Sequence, residues 1–172
     1  MTLAAVDARP DLRVDMSEDP ADIRHRALRA LLAYWTERCP GPDRLPSRAD
    51  IDPVGMKAFL PHVMLVDVTG KPARFRWRLL GTATIGWLHR DMTGRWFDEI
   101  YAGPVLESMY GMYRTTVTTR RPARFTGRAS FASKDYVTFE TLHLPLSAPG
   151  DPDGPVRMIL GGAVLQIPDR AR

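Results

Sequence analysis

Between Phe75 and Trp96 the chain reads FRWRLLGTATIGWLHRDMTGRW, a stretch that leaves its surroundings little freedom in how to fold. Phe75, Trp77 and Leu79 alternate with Arg74, Arg76 and Arg78. Strand side chains point to opposite faces in turn, so one face is apolar and the other cationic, the pattern of a strand buried on one side. Leu80 and Gly81 end the strand, Thr82 is placed to cap the amides that follow, and Ile85, Trp87 and Leu88 fall on a helical segment too short to hold by itself. That segment has to lean on the strand. Asp91, Thr93 and Gly94 then read as a turn in which a side-chain oxygen holds backbone amides and the glycine takes a positive φ. Strand, short helix and turn form half of a pocket.

A chain of 172 residues with 44% hydrophobic content has material for one ordinary core. The start, MTLAAVDARPDL, lacks a basic opening and a long apolar run, and no uninterrupted apolar stretch reaches spanning length, so a cytoplasmic protein without membrane insertion is expected. Cys39 is the only cysteine, which excludes an intramolecular disulfide and a cysteine-rich zinc site. The formal charge of +4 comes from basic residues spread along the chain among twenty acidic ones, and 21 arginines against 3 lysines carry little functional information. Solvated surface explains this better than a nucleic-acid partner, and none is expected.

Three segments follow from composition. Residues 1–18 mix Asp, Arg and Pro with few large apolar groups and read as a flexible N-terminal segment. Residues 19–44 read as a helix and linker: Asp19 caps, Pro20 takes the first helical position, and Ile23, Ala27, Leu28, Leu31, Leu32 and Trp35 recur at helical spacing opposite Arg24, Arg26 and Arg29. Cys39, Pro40, Gly41 and Pro42 stop that helix. Residues 45–172 form the main domain. In it, Leu45 to Pro53 reads as a clasp in which Asp52 caps a short helix and Arg48 pairs with Asp50, with a polar functional site as the other reading. A first strand begins at Val63, Leu65 and Val66, and a helix opens at Pro104 and runs to about Thr119. Three strands, Ala123 to Phe131, Tyr136 to Leu146 and Val156 to Ile167, complete the pattern.

Four motifs in one order, LPSRADIDP at Leu45 to Pro53, LPHVMLVDV at Leu60 to Val68, RWRLLGT at Arg76 to Thr82 and RDMTG at Arg90 to Gly94, resemble the single-domain PAS-like family of small bacterial proteins, known mostly from alphaproteobacteria. The resemblance runs from about Tyr34 to about Leu165. It implies an α+β PAS-like fold: a five-stranded antiparallel sheet with short helices over one face, here preceded by an N-terminal amphipathic helix. That helix either covers the open face of the sheet or pairs with its copy, making a homodimer through the N-terminal helix.

In such a fold the interior wall should draw on Trp77, Trp87, Met109, Tyr113, Phe125, Phe139, His143 and Met158. A wall of this composition suits a small hydrophobic or planar ligand, and it equally suits a solid core. His25, His62, His89 and His143 lack metal-ligand spacing, so no metal is expected. Haem-binding PAS domains often take an axial histidine from the long helix, which has none between Pro104 and Thr119, and Cys39 precedes the core where a flavin photosensor needs its cysteine. No cofactor is expected. Arg74, Arg76 and Arg78 form the densest positive charge, readable as a solvated strand face or as a contact for an acidic partner. No nucleophile elbow, phosphate loop or dinucleotide fingerprint is present, and only His143 with Glu140 or Asp98 offers a polar cluster. The reading is a sensory or regulatory module, not an enzyme, without its own output domain, that signals through a small molecule or a protein partner in a signalling pathway. Its alternative is a constitutive homodimeric scaffold.

Overall fold

The computed structural model describes residues 12–15, 19–131 and 134–166. Of the segment read as flexible, residues 1–18, all but Leu12–Asp15 lies outside the described residues. Those four form β1, because the short run LRVD alternates apolar and charged residues and finds an edge to pair with. The remaining elements are α1 (Arg26–Thr36), β2 (Val63–Thr69), β3 (Arg74–Leu80), α2 (Thr82–Leu88), α3 (Phe97–Ile100), α4 (Gly103–Thr119), β4 (Ala123–Phe131), β5 (Lys134–Leu146) and β6 (Met158–Gln166). All pairings are antiparallel, in the order β1-β4-β5-β6-β2-β3. The five strands expected are therefore six, the extra one being β1.

Both faces of this sheet are covered. α1 packs across β5 and β6 on one face, while α4 lies against β4 and β5 on the other, with α2 against β6. The apolar stripe of α1 is spent on the first contact: Leu28, Leu31, Tyr34 and Trp35 are buried, and Trp35 Nε1 donates to the Pro145 carbonyl at 3.0 Å. Gly162 makes the close approach possible, since a Cβ there would stand 2.7 Å from Leu28 Cδ2 and 2.8 Å from Leu31 Cδ2. Of the two arrangements open to the amphipathic helix, the one seen covers the sheet.

The helix starts later than its periodicity suggests. Asp19 accepts from the Ala21 amide and caps only one 3-10 turn, Pro20–Asp22, after which the chain straightens and His25 Nδ1 caps α1 through the Ala27 amide. Glu140 on β5 causes this break. Its carboxylate accepts from the Arg24 and His25 amides at 2.9 and 3.0 Å and from Arg124 Nε at 2.7 Å. Arg124 is buried, so a guanidinium and a carboxylate inside the sheet face fix where the helix begins.

The Leu45 to Pro53 segment is a clasp, with one correction. Asp50 turns back to Ser47, accepting from its amide and its hydroxyl at 2.8 Å each, and Arg48 donates to the Ile51 carbonyl instead of pairing with Asp50. The Ser47 side chain is the nearer partner, reached without extending a long side chain. Asp52 accepts from the Val54 amide at 3.0 Å as a cap, on a 3-10 turn and not a longer helix.

Removing the carboxylate of Glu140 takes from the buried Arg124 guanidinium its acceptor at 2.7 Å, and from the Arg24 and His25 amides theirs. Glu140→Ala should therefore lower the unfolding free energy by about 3–5 kcal/mol in denaturant titration. The double variant Arg124→Met/Glu140→Leu should recover most of that loss. A loss below about 1 kcal/mol for Glu140→Ala would show that the pair does not hold α1 to the sheet.

Candidate functional site

On the α4 side of the sheet the side chains do not fill the space. A cavity of about 130 Å³ lies between the sheet and α2, α4 and the segment that joins them. Strand parity decides what it sees. Met64 on β2, Ala129 on β4, Phe139, Thr141 and His143 on β5, Ala163 and Leu165 on β6 and Leu12 on β1 all point to this side. α2 contributes Thr84 and Leu88, one turn apart, and α4 contributes Val105, Met109, Met112 and Tyr113. Trp77 and Tyr101 close the wall.

β3 reaches the site through an irregularity that its sequence alternation does not show. Leu65 pairs with Leu79 but Val66 pairs with Trp77, so Arg78 is an extra residue in the ladder. Phe75 and Trp77 stay inward as their alternation requires. Leu79, expected beside them, turns outward with 38% exposure, and Leu80 takes the buried place. Gly81 then presses against the backbone of Pro61 and Val63, where a Cβ would come within 2.2 Å of the Pro61 carbonyl oxygen. It is Gly81, not Thr82, that occupies the cap position of α2, and no side chain caps it.

An aromatic cluster supports the wall. Phe97, fully buried on α3, has ring centroids at 4.9 Å from Trp77 and from Tyr113, 5.7 Å from Phe75 and 5.8 Å from Tyr101. Tyr113 lies 4.1 Å from His143 at a 31° tilt, and His143 lies 5.1 Å from Phe125. The rings run unbroken from α3 to β4. Outside, Trp96 lies beneath the guanidinium of Arg74, 4.1 Å away, and beside that of Arg76. Arg74 makes two bonds to Asp98, at 2.8 and 2.9 Å, and Arg76 bonds Asp67 at 2.8 Å. Two of the three strand arginines thus meet acidic partners within the chain.

Of the eight residues expected in the wall, Trp77, Met109, Tyr113, Phe139 and His143 line the cavity. Phe125 is buried one layer away, against His143. Trp87 does not line it, because Thr84 and Leu88 occupy the inward side of α2 and position 87 lies about 100° around the helix from 88. Met158 does not either, since it shares the parity of Gly162 and so faces the α1 side. Thr84, Thr141, Tyr101 and Leu12 are among the lining residues that were not expected there. The 84/88 spacing within α2 was the available signal for Thr84, while the strand parity of Thr141 follows once His143 is placed inward. His143 is not joined to Glu140 or Asp98: Glu140 lies on the opposite face of the sheet, and Asp98 is taken by Arg74.

The electrostatics of the wall are those of an uncharged space. No charged residue is among the described residues that line it. Burial depresses the His143 imidazole from 6.5 to about 3, opposed only by the nearby Met112 carbonyl, so the ring is neutral at any ordinary pH. Burial pushes the Tyr101 hydroxyl up to about 12 and that of Tyr113 well above its usual value. The Trp77 indole nitrogen is near enough to Tyr101 to ease its ionisation, yet without the geometry of a hydrogen bond.

A family model described as PAS domain matches residues 23–161. A search among curated proteins finds no match.

The buried neutral imidazole sets a pH dependence. The unfolded chain takes up a proton at position 143 as pH falls through 6.5, whereas the folded chain does not until about 3, so stability must fall with falling pH across that window. The slope from this group is at most about 1.4 kcal/mol per pH unit. His143→Phe should lose that slope between pH 6.5 and 5, above the range where most carboxylates titrate. His25, whose pKa is lowered by burial and by His62, contributes with the same sign in both proteins and cancels in the comparison. Equal slopes in wild type and variant would show that His143 is not held neutral in the core.

Proposed function

The chain belongs to the PAS domain family, and from that membership we propose that it is a sensory or regulatory module whose internal cavity takes a small molecule. The observation that carries this reading is the cavity of about 130 Å³ walled jointly by the sheet, by α2 and α4, and by Leu12 of the edge strand β1. A void of that kind is stable only at a cost, since its lining forgoes contacts a solid core would make. A ligand restores them. Its occupancy would reach the surface through elements that are themselves part of the wall: β1, held by four paired residues and by the Ser108 hydroxyl at 3.5 Å from the Leu12 carbonyl, and α4. The mechanism is population shift. A ligand that fits one arrangement of these elements better than another moves their equilibrium by no more than its difference in affinity.

Signalling then requires a partner that reads the moved element. A homodimer formed through α1 would have to use the polar side of that helix, because Leu28, Leu31 and Trp35 already pack on the sheet. No apolar stripe is left there to drive it. The constitutive scaffold therefore ranks behind the ligand sensor.

Two measurements on one sample test the reading. Denaturing mass spectrometry detects a molecule that co-purifies in the cavity, and xenon-129 NMR on protein without one detects an accessible apolar void. Either a stoichiometric small molecule or a saturable xenon shift is expected, and Ala163→Phe, which fills the space from β6, should abolish it. Neither signal in wild type, or a xenon shift that Ala163→Phe leaves intact, would mean that the interior is solid and the ligand reading wrong.

A further inference from the structure

The sheet face that carries α1 is covered only in part. Ahead of the helix, residues 24 and 25 and strands β4, β5 and β6 enclose a groove of about 440 Å³, larger than the internal cavity and within the roughly 300–1,000 Å³ of ligand sites. Its charge is one-sided. Arg24, Arg124 and Arg128 line it against one carboxylate, that of Glu140, whose oxygens are already taken by Arg124 and by the Arg24 and His25 amides. Arg24 and Arg128 are exposed, and their guanidinium groups meet no carboxylate among the described residues. β1 places Arg13 directly opposite Arg128 on the same face, and like charges so placed repel. On β3 the arrangement is different, since Arg74 and Arg76 hold Asp98 and Asp67 of the same chain. We propose that the groove docks an extended acidic segment of a partner protein, whether or not the internal cavity is filled.

Spacing argues for a chain over a single ion. The Arg24 amide is held at Glu140, Glu140 lies opposite Thr126, and Arg128 comes two residues farther along β4. Two residues of strand rise by about 7 Å, and the four from Arg124 to Arg128 by about 13 Å. One carboxylate or phosphate pairs with one guanidinium fork and leaves the next unmet. An extended peptide with acidic residues at alternate positions presents them at the same interval of about 7 Å. Thr126 and Gln166 add hydroxyl and amide groups between the charges, and Val164 adds an apolar surface, a mixed floor that suits a polypeptide. The field is short for duplex DNA, whose binders neutralise about 6–10 phosphates. The strands beneath are those that wall the cavity: β5 turns Thr138 and Glu140 to the groove and Thr141 and His143 to the other face. A partner seated here therefore rests on the elements that a ligand would touch.

A short fluorescein-labelled peptide of alternating Glu and Ser, titrated against the full chain at low ionic strength and followed by anisotropy, tests the proposal. It is compared with its Gln-for-Glu counterpart, with inorganic phosphate as competitor and with a labelled DNA duplex. The acidic peptide is expected to bind, and to weaken as salt is added. The double variant Arg24→Gln/Arg128→Gln should lose about tenfold or more in affinity, because both charged contacts go. Arg78→Gln/Arg90→Gln, which removes two exposed charges outside the groove, should bind as wild type does. All four positions are exposed, and an unchanged unfolding midpoint confirms that each variant is folded. Equal losses in the two double variants, equal binding of the Gln peptide, or no binding of the acidic one overturns the proposal. Phosphate that competes as well as unlabelled peptide would make this a small-anion site, and tighter binding of the duplex a nucleic-acid surface; either overturns the acidic-segment reading. So does a dimer in sedimentation that Arg24→Gln/Arg128→Gln dissolves, since the occupant would then be a second copy.

Discussion

An antiparallel sheet with apolar side chains on both faces must be covered twice, and here the two covers are of different quality. α1 seats directly on β5 and β6, where Gly162 removes the side chain that would hold it off, and Leu28, Leu31 and Trp35 close the contact. The other cover, made by α2, α3 and α4, is built around large rings in tilted and edge-to-face contact. Rings in such contacts stand about 5–6 Å apart by centroid and do not fill corners as aliphatic chains do. The tight face gives the domain its anchorage, and the loose one leaves the void.

The position of α1 depends on a buried ion pair more than on helical propensity. Glu140 spends its oxygens on Arg124 and on two backbone amides ahead of the helix, so the chain cannot continue a helix from Pro20 through Ile23. Burying a charged pair is costly unless its remaining bonds are met, and the Arg24 and His25 amides help to meet them. The same residue that a sequence reader would pair with His143 as a catalytic couple is therefore a structural clamp on the opposite face.

Much of the fold was legible before any coordinates. The turn at Asp91, Thr93 and Gly94 forms as its residue types require, with the Asp91 carboxylate accepting from the Thr93 amide and hydroxyl and Gly94 at φ 84°. The long helix and β2 to β6 lie within a few residues of where periodicity put them. β1 was not seen, because four residues of alternation in a Pro- and Arg-rich segment look like no strand until β4 offers an edge. In the site, Trp77, Met109, Tyr113, Phe139 and His143 were found by asking which large residues face inward. Leu79 and Met158 went wrong for one shared reason, that facing depends on register, whereas Trp87 went wrong because Thr84 and Leu88 hold the inward side of α2. A single extra residue at Arg78 inverts Leu79 and Leu80, and the inward parity of β6 could be read only after pairing with β5.

Sequence alone determined the kinds of element, their order, and the family to which the chain belongs, because alternation, helical spacing and turn residues act over a few neighbours. It also determined that the interior would be rich in rings and thioethers. Whether those side chains meet in a solid core or around a cavity was decided only in the tertiary structure, where the sheet, α2 and α4 leave an almost wholly apolar wall that includes a neutral imidazole. Parity and burial are properties of a residue's neighbours across the sheet, and those neighbours are brought close by pairing between strands far apart in the chain.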